Sequence, residues 1–190
     1  MDVNAKNVET LAKRKHDENH ALRQYVKGQD RLSEQELDQL VFDITRRVWA
    51  GIDCTTCANC CKELGRSVTD EEAQRLAAAM GLSEKDFRGR YLEGKVGPED
   101  DDGDGDGEGA PQRVRWRLRG KPCPFLKDNR CTVYEARPEQ CRKYPYLYEP
   151  EFSSRTLGMI ERTFTCPVVY QVFEELKGEL PFDQGGHSDW

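Results

Sequence analysis

Long apolar runs are missing from this sequence. The opening residues MDVNAKNVETLAKRKHDENH hold no hydrophobic signal core, and no later segment approaches the roughly 18 consecutive apolar residues of a membrane span. A cytoplasmic protein without a membrane span is the expectation. Histidine is scarce as well: His16 and His20 lie near one end and His187 near the other, far from the cysteines. That distribution disfavours a Cys–His nucleophile pair and a two-histidine carboxylate iron site. Excess positive charge is also lacking. With 29 basic and 35 acidic residues the formal net charge is -6, which opposes general binding to a phosphate backbone. No GxGxxG or GxxxxGK[ST] string offers a nucleotide site. Hydrophobic residues are 36% of the 190, a lean supply for a core, and the length fits one compact unit with appended segments.

Local order is legible in several places. Residues 1–31 mix charges closely around the few apolar anchors Leu11, Leu22, Tyr25 and Val26, so a loose, charged N-terminal arm of helical character is expected. Ser33 and Glu36 have capping-box spacing, Leu32 and Leu37 take the positions of a hydrophobic staple, and Leu37, Leu40, Val41, Ile44 and Val48 form one apolar stripe. Thr69 with Glu72 repeats the capping pattern, Gly81 reads as a stop, and Ser83 with Asp86 opens a third helix bearing Phe87 and Tyr91. Residues 98–112 are then an acidic, glycine-laced insertion whose seven carboxylates between Glu99 and Glu108 repel one another and lack an EF-hand pattern. RVRWRLRG follows, a strand with Val114, Trp116 and Leu118 inward and Arg113, Arg115, Arg117 and Arg119 outward. That arginine face suits an acidic partner or the preceding loop. A further strand is expected over Leu157–Thr165. A last helix opens at Pro167 with Val168, Val169, Val172, Phe173 and Leu176 on one side, before a loose tail at 179–190.

What the chain does have is eight cysteines. In a reducing compartment, thiols so unevenly spaced read as metal ligands rather than as four disulfides. Cys54, Cys57, Cys60 and Cys61 make two successive C-x2-C steps, which gather thiolates on a tight turn of backbone. Such a turn starts a tetrahedral zinc site or supplies corners of an iron–sulfur cluster. Neighbouring side chains diverge, so Cys60 and Cys61 point to two nearby centres rather than one. Cys123, Cys131, Cys141 and Cys166 bring as many thiols again. One partition, suggested by the Cys166–Pro167 pair, joins Cys54, Cys57 and Cys60 to Cys166 and leaves Cys61, Cys123, Cys131 and Cys141 for the second site. An all-thiolate set favours zinc or iron–sulfur over magnesium or calcium and does not choose between the first two. Arg137 and Arg142 flank Cys141, as counter-charges for thiolates or as partners of Glu135 and Glu139. Pro138 is placed to start a short turn presenting Cys141, and Tyr134, Tyr144, Tyr146 and Tyr148 to shield the site or simply pack.

CTTCANCC from Cys54 to Cys61, PCPFL from Pro122 to Leu126, CTVYEARPEQCRKYP from Cys131 to Pro145 and the later Cys166–Pro167 together resemble the CxxCxxCC, or YkgJ-like, family of zinc- or iron-chelating cysteine-cluster proteins. The resemblance covers residues 50–170. It implies that Cys54, Cys57, Cys60, Cys61, Cys123, Cys131, Cys141 and Cys166 are all metal ligands. The family pattern often has phenylalanine near Tyr144, a departure that leaves the ligands intact. The expected fold is α+β: a small metal-stabilised cysteine-cluster domain at 32–178 with short helices and few strands. The expected function is metal binding, iron–sulfur of the four-iron type first, with electron transfer or redox sensing and a redox or other protein partner. The alternatives are a structural zinc module mediating protein–protein interaction, and an accessory or catalytic protein in the modification of another protein.

Overall fold

A computed structural model describes residues 3–96 and 115–182. The acidic insertion at 98–112, Arg113, Val114 and the tail from 183 onward lie outside the described residues. In chain order the first half forms α1 (Val8–Arg14), α2 (His16–Gly28), α3 (Glu34–Ala50), α4 (Cys54–Cys57), α5 (Asn59–Glu63), β1 (Ser67–Val68), α6 (Asp70–Ala79), α7 (Glu84–Tyr91) and β2 (Leu92–Val96). The second half forms β3 (Arg115–Leu118), β4 (Leu126–Lys127), β5 (Arg130–Cys131), a 3-10 turn (Tyr134–Ala136), α8 (Glu139–Lys143), α9 (Phe152–Thr163) and α10 (Pro167–Glu179). The chain is mostly helical with a few short strands, an α+β arrangement. None of the described helices is long and apolar enough to cross a membrane.

The chain divides into two units, one of residues 1–57 with 145–190 and one of residues 58–144. The first is a helical bundle. In it α3 packs on α9 and α10, and α2 packs on α9. Ser33 caps α3 with the full reciprocal box to Glu36, and Leu37, Val41, Ile44 and Val48 of the expected stripe are buried. Phe152, Met159 and Ile160 from α9 meet Phe173 and Leu176 from α10 in the same core, with the Phe152 and Phe173 rings 6.1 Å apart. The N-terminal arm is not loose: Val8, Ala12, Leu22 and Val26 are all buried and seat α1 and α2 on the bundle. Four apolar residues at helical spacing suffice here because Lys15, Glu18, Lys177 and Glu174 add a charge network in which the Lys177 ammonium lies 2.9 Å from Glu18 and 2.6 Å from Glu174.

The strand expected over Leu157–Thr165 is instead the helix α9. Phe152, Thr156, Met159, Ile160 and Thr163 lie on one buried face with a helical period. Its capping is not local. Glu151 adopts a left-handed conformation at φ 60° and offers no side-chain cap. Asp38 of α3 accepts from the amides of Glu151 at 2.8 Å and Phe152 at 2.9 Å, and Glu34 accepts from the Ser153 amide at 2.9 Å. Two carboxylates one helical turn apart on α3 therefore satisfy the orphan donors of α9.

The second unit holds a three-stranded antiparallel sheet in the order β1-β3-β2, with Val68 opposite Trp116 and Leu92 opposite Leu118. Leu118 is buried and Arg117 exposed, so the described part of RVRWRLRG faces as its alternation requires. Thr69 and Ser83 cap α6 and α7. Gly81, at φ +66°, ends α6 in a Schellman turn, with Leu82 N–H bonded to Ala77 O and Gly81 N–H to Ala78 O. Val68, Leu76, Phe87, Leu92, Leu118 and Phe125 form the core, against which Cys123 and Cys131 are packed. Asp128 and Asn129, at φ 50° and 59°, make the two-residue turn joining β4 to β5. Paired left-handed residues suit a tight hairpin, and this one delivers Cys131 to its place.

Candidate metal centre

Five of the eight cysteines, Cys60, Cys61, Cys123, Cys131 and Cys141, belong to the second unit. Cys60 and Cys61 sit on the short helix α5, entered through Ala58 in a left-handed conformation at φ 49°. Cys123 is fastened directly to them, its amide donating to the Cys61 carbonyl at 2.8 Å. Cys131 ends β5. Cys141 rides on α8, which begins right after Pro138 as its sequence suggests.

That helix is held by groups from elsewhere in the unit. Glu72 accepts from the Thr69 amide through one carboxylate oxygen at 2.9 Å and from the Glu139 amide through the other at 2.8 Å. A single buried carboxylate thus completes the capping box of α6 and also caps the helix that carries Cys141. Gln140 accepts from the Ser67 amide at 3.2 Å and ties the same helix to β1. The segment before it is pinned by arginines: Arg142 donates to the carbonyls of Glu135 at 2.7 Å and Arg137 at 3.0 Å, while Arg75 donates to that of Ala136 at 3.3 Å.

The roles expected of the flanking arginines are therefore filled differently. Arg142 holds backbone carbonyls, and Arg137 lies over the Tyr134 ring at 3.8 Å. The cation among the thiols is Arg66, which the motif pattern did not single out. Arg66 is 6% exposed, stacks its guanidinium 4.9 Å above the Tyr144 ring, and acts on Cys60, Cys123 and Cys141. The one signal for it in the sequence is a basic residue five positions beyond Cys61, leading into a strand. Of the four tyrosines, Tyr144 lies against this arginine, whereas Tyr134 and Tyr148 are half exposed.

The thiols feel one another. A hydrogen bond from Cys61 draws Cys60 down from 9.0 to about 6, against the cost of burial and with help from Arg66. Cys61 is pushed far up for the matching reason: its S–H donates a hydrogen bond to the Cys60 thiolate, it lies partly buried, and it faces that charge. Burial, joined by the neighbouring thiols, raises Cys141 to about 11 and raises Cys123, although the Phe125 amide and Arg66 oppose the shift at Cys123. One thiolate, on Cys60, is what a single buried guanidinium can stabilise; each further thiolate is opposed by the charges already present. A soft or borderline cation reverses that balance, so the donor chemistry fits zinc or an iron–sulfur cluster. Among the described residues, however, no three His, Cys, Asp or Glu side chains stand in an arrangement that would hold a metal ion.

Cys54, Cys57 and Cys166 belong to the first unit. Cys54 opens α4 and is exposed, and Cys57 closes it, with Asp53 bonded to the Thr55 amide at 2.7 Å within that turn. Cys166 is buried at the start of α10, where Pro167 takes the first helical position. None of the eight cysteines, all of them among the described residues, is joined in a disulfide.

The family model for CxxCxxCC, described as "Putative zinc- or iron-chelating domain", matches residues 53–167. No solved structure matches the chain.

Proposed function

The chain belongs to the CxxCxxCC family of zinc- or iron-chelating domains, and from that premise we propose that it is an iron–sulfur protein that passes or senses single electrons. The observation that carries the proposal is that Cys60, Cys61, Cys123, Cys131 and Cys141 share one unit, where the thiols act on one another and the buried Arg66 acts on Cys60, Cys123 and Cys141. A hydrogen-bond donor such as Arg66 against a cluster sulfur is also a recognised lever on reduction potential. The family pattern extends the proposed ligand set to Cys54, Cys57 and Cys166. An iron–sulfur cluster would supply the electron transfer; the protein's part is to ligate it, hold Arg66 beside Cys60, and exclude water with Tyr144 and the apolar core.

A structural zinc module is the second reading, favoured by Cys123 and Cys131 packing against the core of their unit. Ligation there would fasten a segment composed largely of turns. Anaerobic purification followed by visible absorption and by iron, sulfide and zinc analysis separates the two. Brown protein with matched iron and sulfide is expected, and Cys60→Ser should bleach it. Colourless protein holding zinc alone would overturn the iron–sulfur proposal.

A further inference from the structure

Two of the three histidines stand one turn apart on α2, in the first unit, and the cysteine chemistry makes no use of them. The Nε2 atoms of His16 and His20 are 3.2 Å apart, with the ring centroids at 4.5 Å. Two nitrogens each about 2.0–2.1 Å from one zinc ion, at the tetrahedral angle, lie about 3.3–3.4 Å apart. The observed separation is thus close to the bite that a single ion requires. Both rings are partly exposed, leaving room for water on the outer side of the pair. Asp17 Oδ1 stands 3.4 Å from His16 Nδ1, and the edge of the Phe164 ring packs against His16 with centroids 6.0 Å apart. A carboxylate at Nδ1 favours the tautomer whose lone pair is on Nε2, as the outer partners of metal-bound histidines do.

We propose that His16 and His20 form a second, thiol-free metal site that takes one borderline divalent ion of the zinc or nickel type through both Nε2 atoms, with water completing its shell. Imidazole suits those ions and is a poor ligand for calcium or magnesium. The pair is two nitrogens only, so the ion is exchangeable rather than built in. It clips adjacent turns of α2, the helix that Leu22 and Val26 seat on the bundle. In the metal-free protein the same Nε2 pair shares a hydrogen bond; when the ion binds, the His20 Nε2 proton leaves to water and His20 takes up a proton from water at Nδ1, so both rings stay neutral and both Nε2 lone pairs face the metal. The proposal is independent of what occupies the cysteines.

The test is a zinc titration of the full-length, nitrogen-15-labelled protein, followed by long-range proton–nitrogen correlation of the imidazoles after the thiols have taken up their share. The Nε2 resonances of His16 and His20 should move together, while those of His187 stay in place as the internal reference. His20→Gln keeps a good helix former at that position, and it should raise the zinc concentration needed to move His16 at least tenfold. Resonances of His16 and His20 that stay still overturn the proposal. So does a His187 response at the same zinc concentration, or a His16 response within twofold of wild type in the His20→Gln protein. The wild-type titration decides the matter alone if the variant loses its helical circular dichroism.

Discussion

Replacing Arg66 by glutamine probes the thiols at the buried cation that acts on Cys60, Cys123 and Cys141. A guanidinium beside an acidic group lowers its pKa by about one to three pH units. Cys60 titrates near 6 instead of 9.0, and the hydrogen bond from Cys61 is the largest cause, ahead of Arg66. The share carried by Arg66 is therefore about one to two pH units, or about 1.4–2.7 kcal/mol at 1.36 kcal/mol per unit. The assay is iodoacetamide alkylation of the metal-free, reduced protein across a pH series, with each cysteine followed by peptide mass spectrometry. Wild-type Cys60 should react with a midpoint near pH 6. In Arg66→Gln the midpoint should rise to about 7–8, and in Arg66→Lys it should fall between the two, since lysine keeps the charge but loses the planar fork and the stack on Tyr144. A Cys60 midpoint left near 6 by the glutamine substitution would refute the reasoning and place the whole effect in the Cys60–Cys61 pair.

The same shift fixes a sign for stability. A lowered folded-state pKa means that the Cys60 thiolate contributes fully above its unfolded value near 9.0 and loses that contribution as pH falls towards 6. Cys61 and Cys141, raised above 9.0, favour the fold below that pH and penalise it on the alkaline side, so between pH 9 and 6 the Cys60 term is the one that changes.

Metal-free protein should accordingly lose a few kcal/mol of stability between pH 9 and pH 6, read by urea unfolding; a rise over that interval would contradict the assignment of the thiolate to Cys60. Asp38→Ala leaves two amides at the start of α9 without their carboxylate, and a loss of about 2–3 kcal/mol is expected in urea unfolding. Under 0.5 kcal/mol would mean that water replaces the cap. Glu72→Ala removes one carboxylate from two helix starts and should cost about 1–2 kcal/mol. It should also accelerate hydrogen exchange at the Glu139 amide, and unchanged protection there would show that α8 does not depend on Glu72.

Elements with local start and stop signals were legible in the sequence, and those ordered from a distance were not. Ser33, Thr69, Ser83 and Gly81 each do what their spacing predicts, because a capping box or a left-handed glycine is complete within a few residues. The helix α9 carries no such local signal: its cap sits on α3, more than a hundred residues earlier, and Leu157, Met159, Thr163 and Thr165 mimic alternation. The packing of α1 and α2 is hard to read from the sequence for a similar reason: it rests on four well-buried residues, Val8 and Ala12 at 0% exposure with Leu22 and Val26, in an otherwise charged stretch. At the site, the spacing marked the thiols but gave no hint of Arg66. An arginine becomes a counter-ion only once β1 has folded back beside the cysteines, which a linear pattern does not encode.

That folding back bears on what a metal would contribute. In a zinc finger the ligands are brought together by the ion, and the metal-free chain is unfolded. Here both units have apolar cores of their own, and the thiol-bearing turns are held by groups that are not ligands. The Cys61 carbonyl fastens Cys123, Glu72 and Gln140 fix the helix of Cys141, and the Asp128–Asn129 turn sets Cys131. Much of the entropy of gathering these donors is therefore spent by the polypeptide before any ion binds. What the thiols still lack is positive charge: among the described residues Arg66 is the cation that acts on Cys60, Cys123 and Cys141. A cation bound there would do more for the electrostatics of the second unit than for its topology, so metal removal should raise the stability cost of ionising Cys61, Cys123 and Cys141 while leaving α6, α7 and the sheet in place.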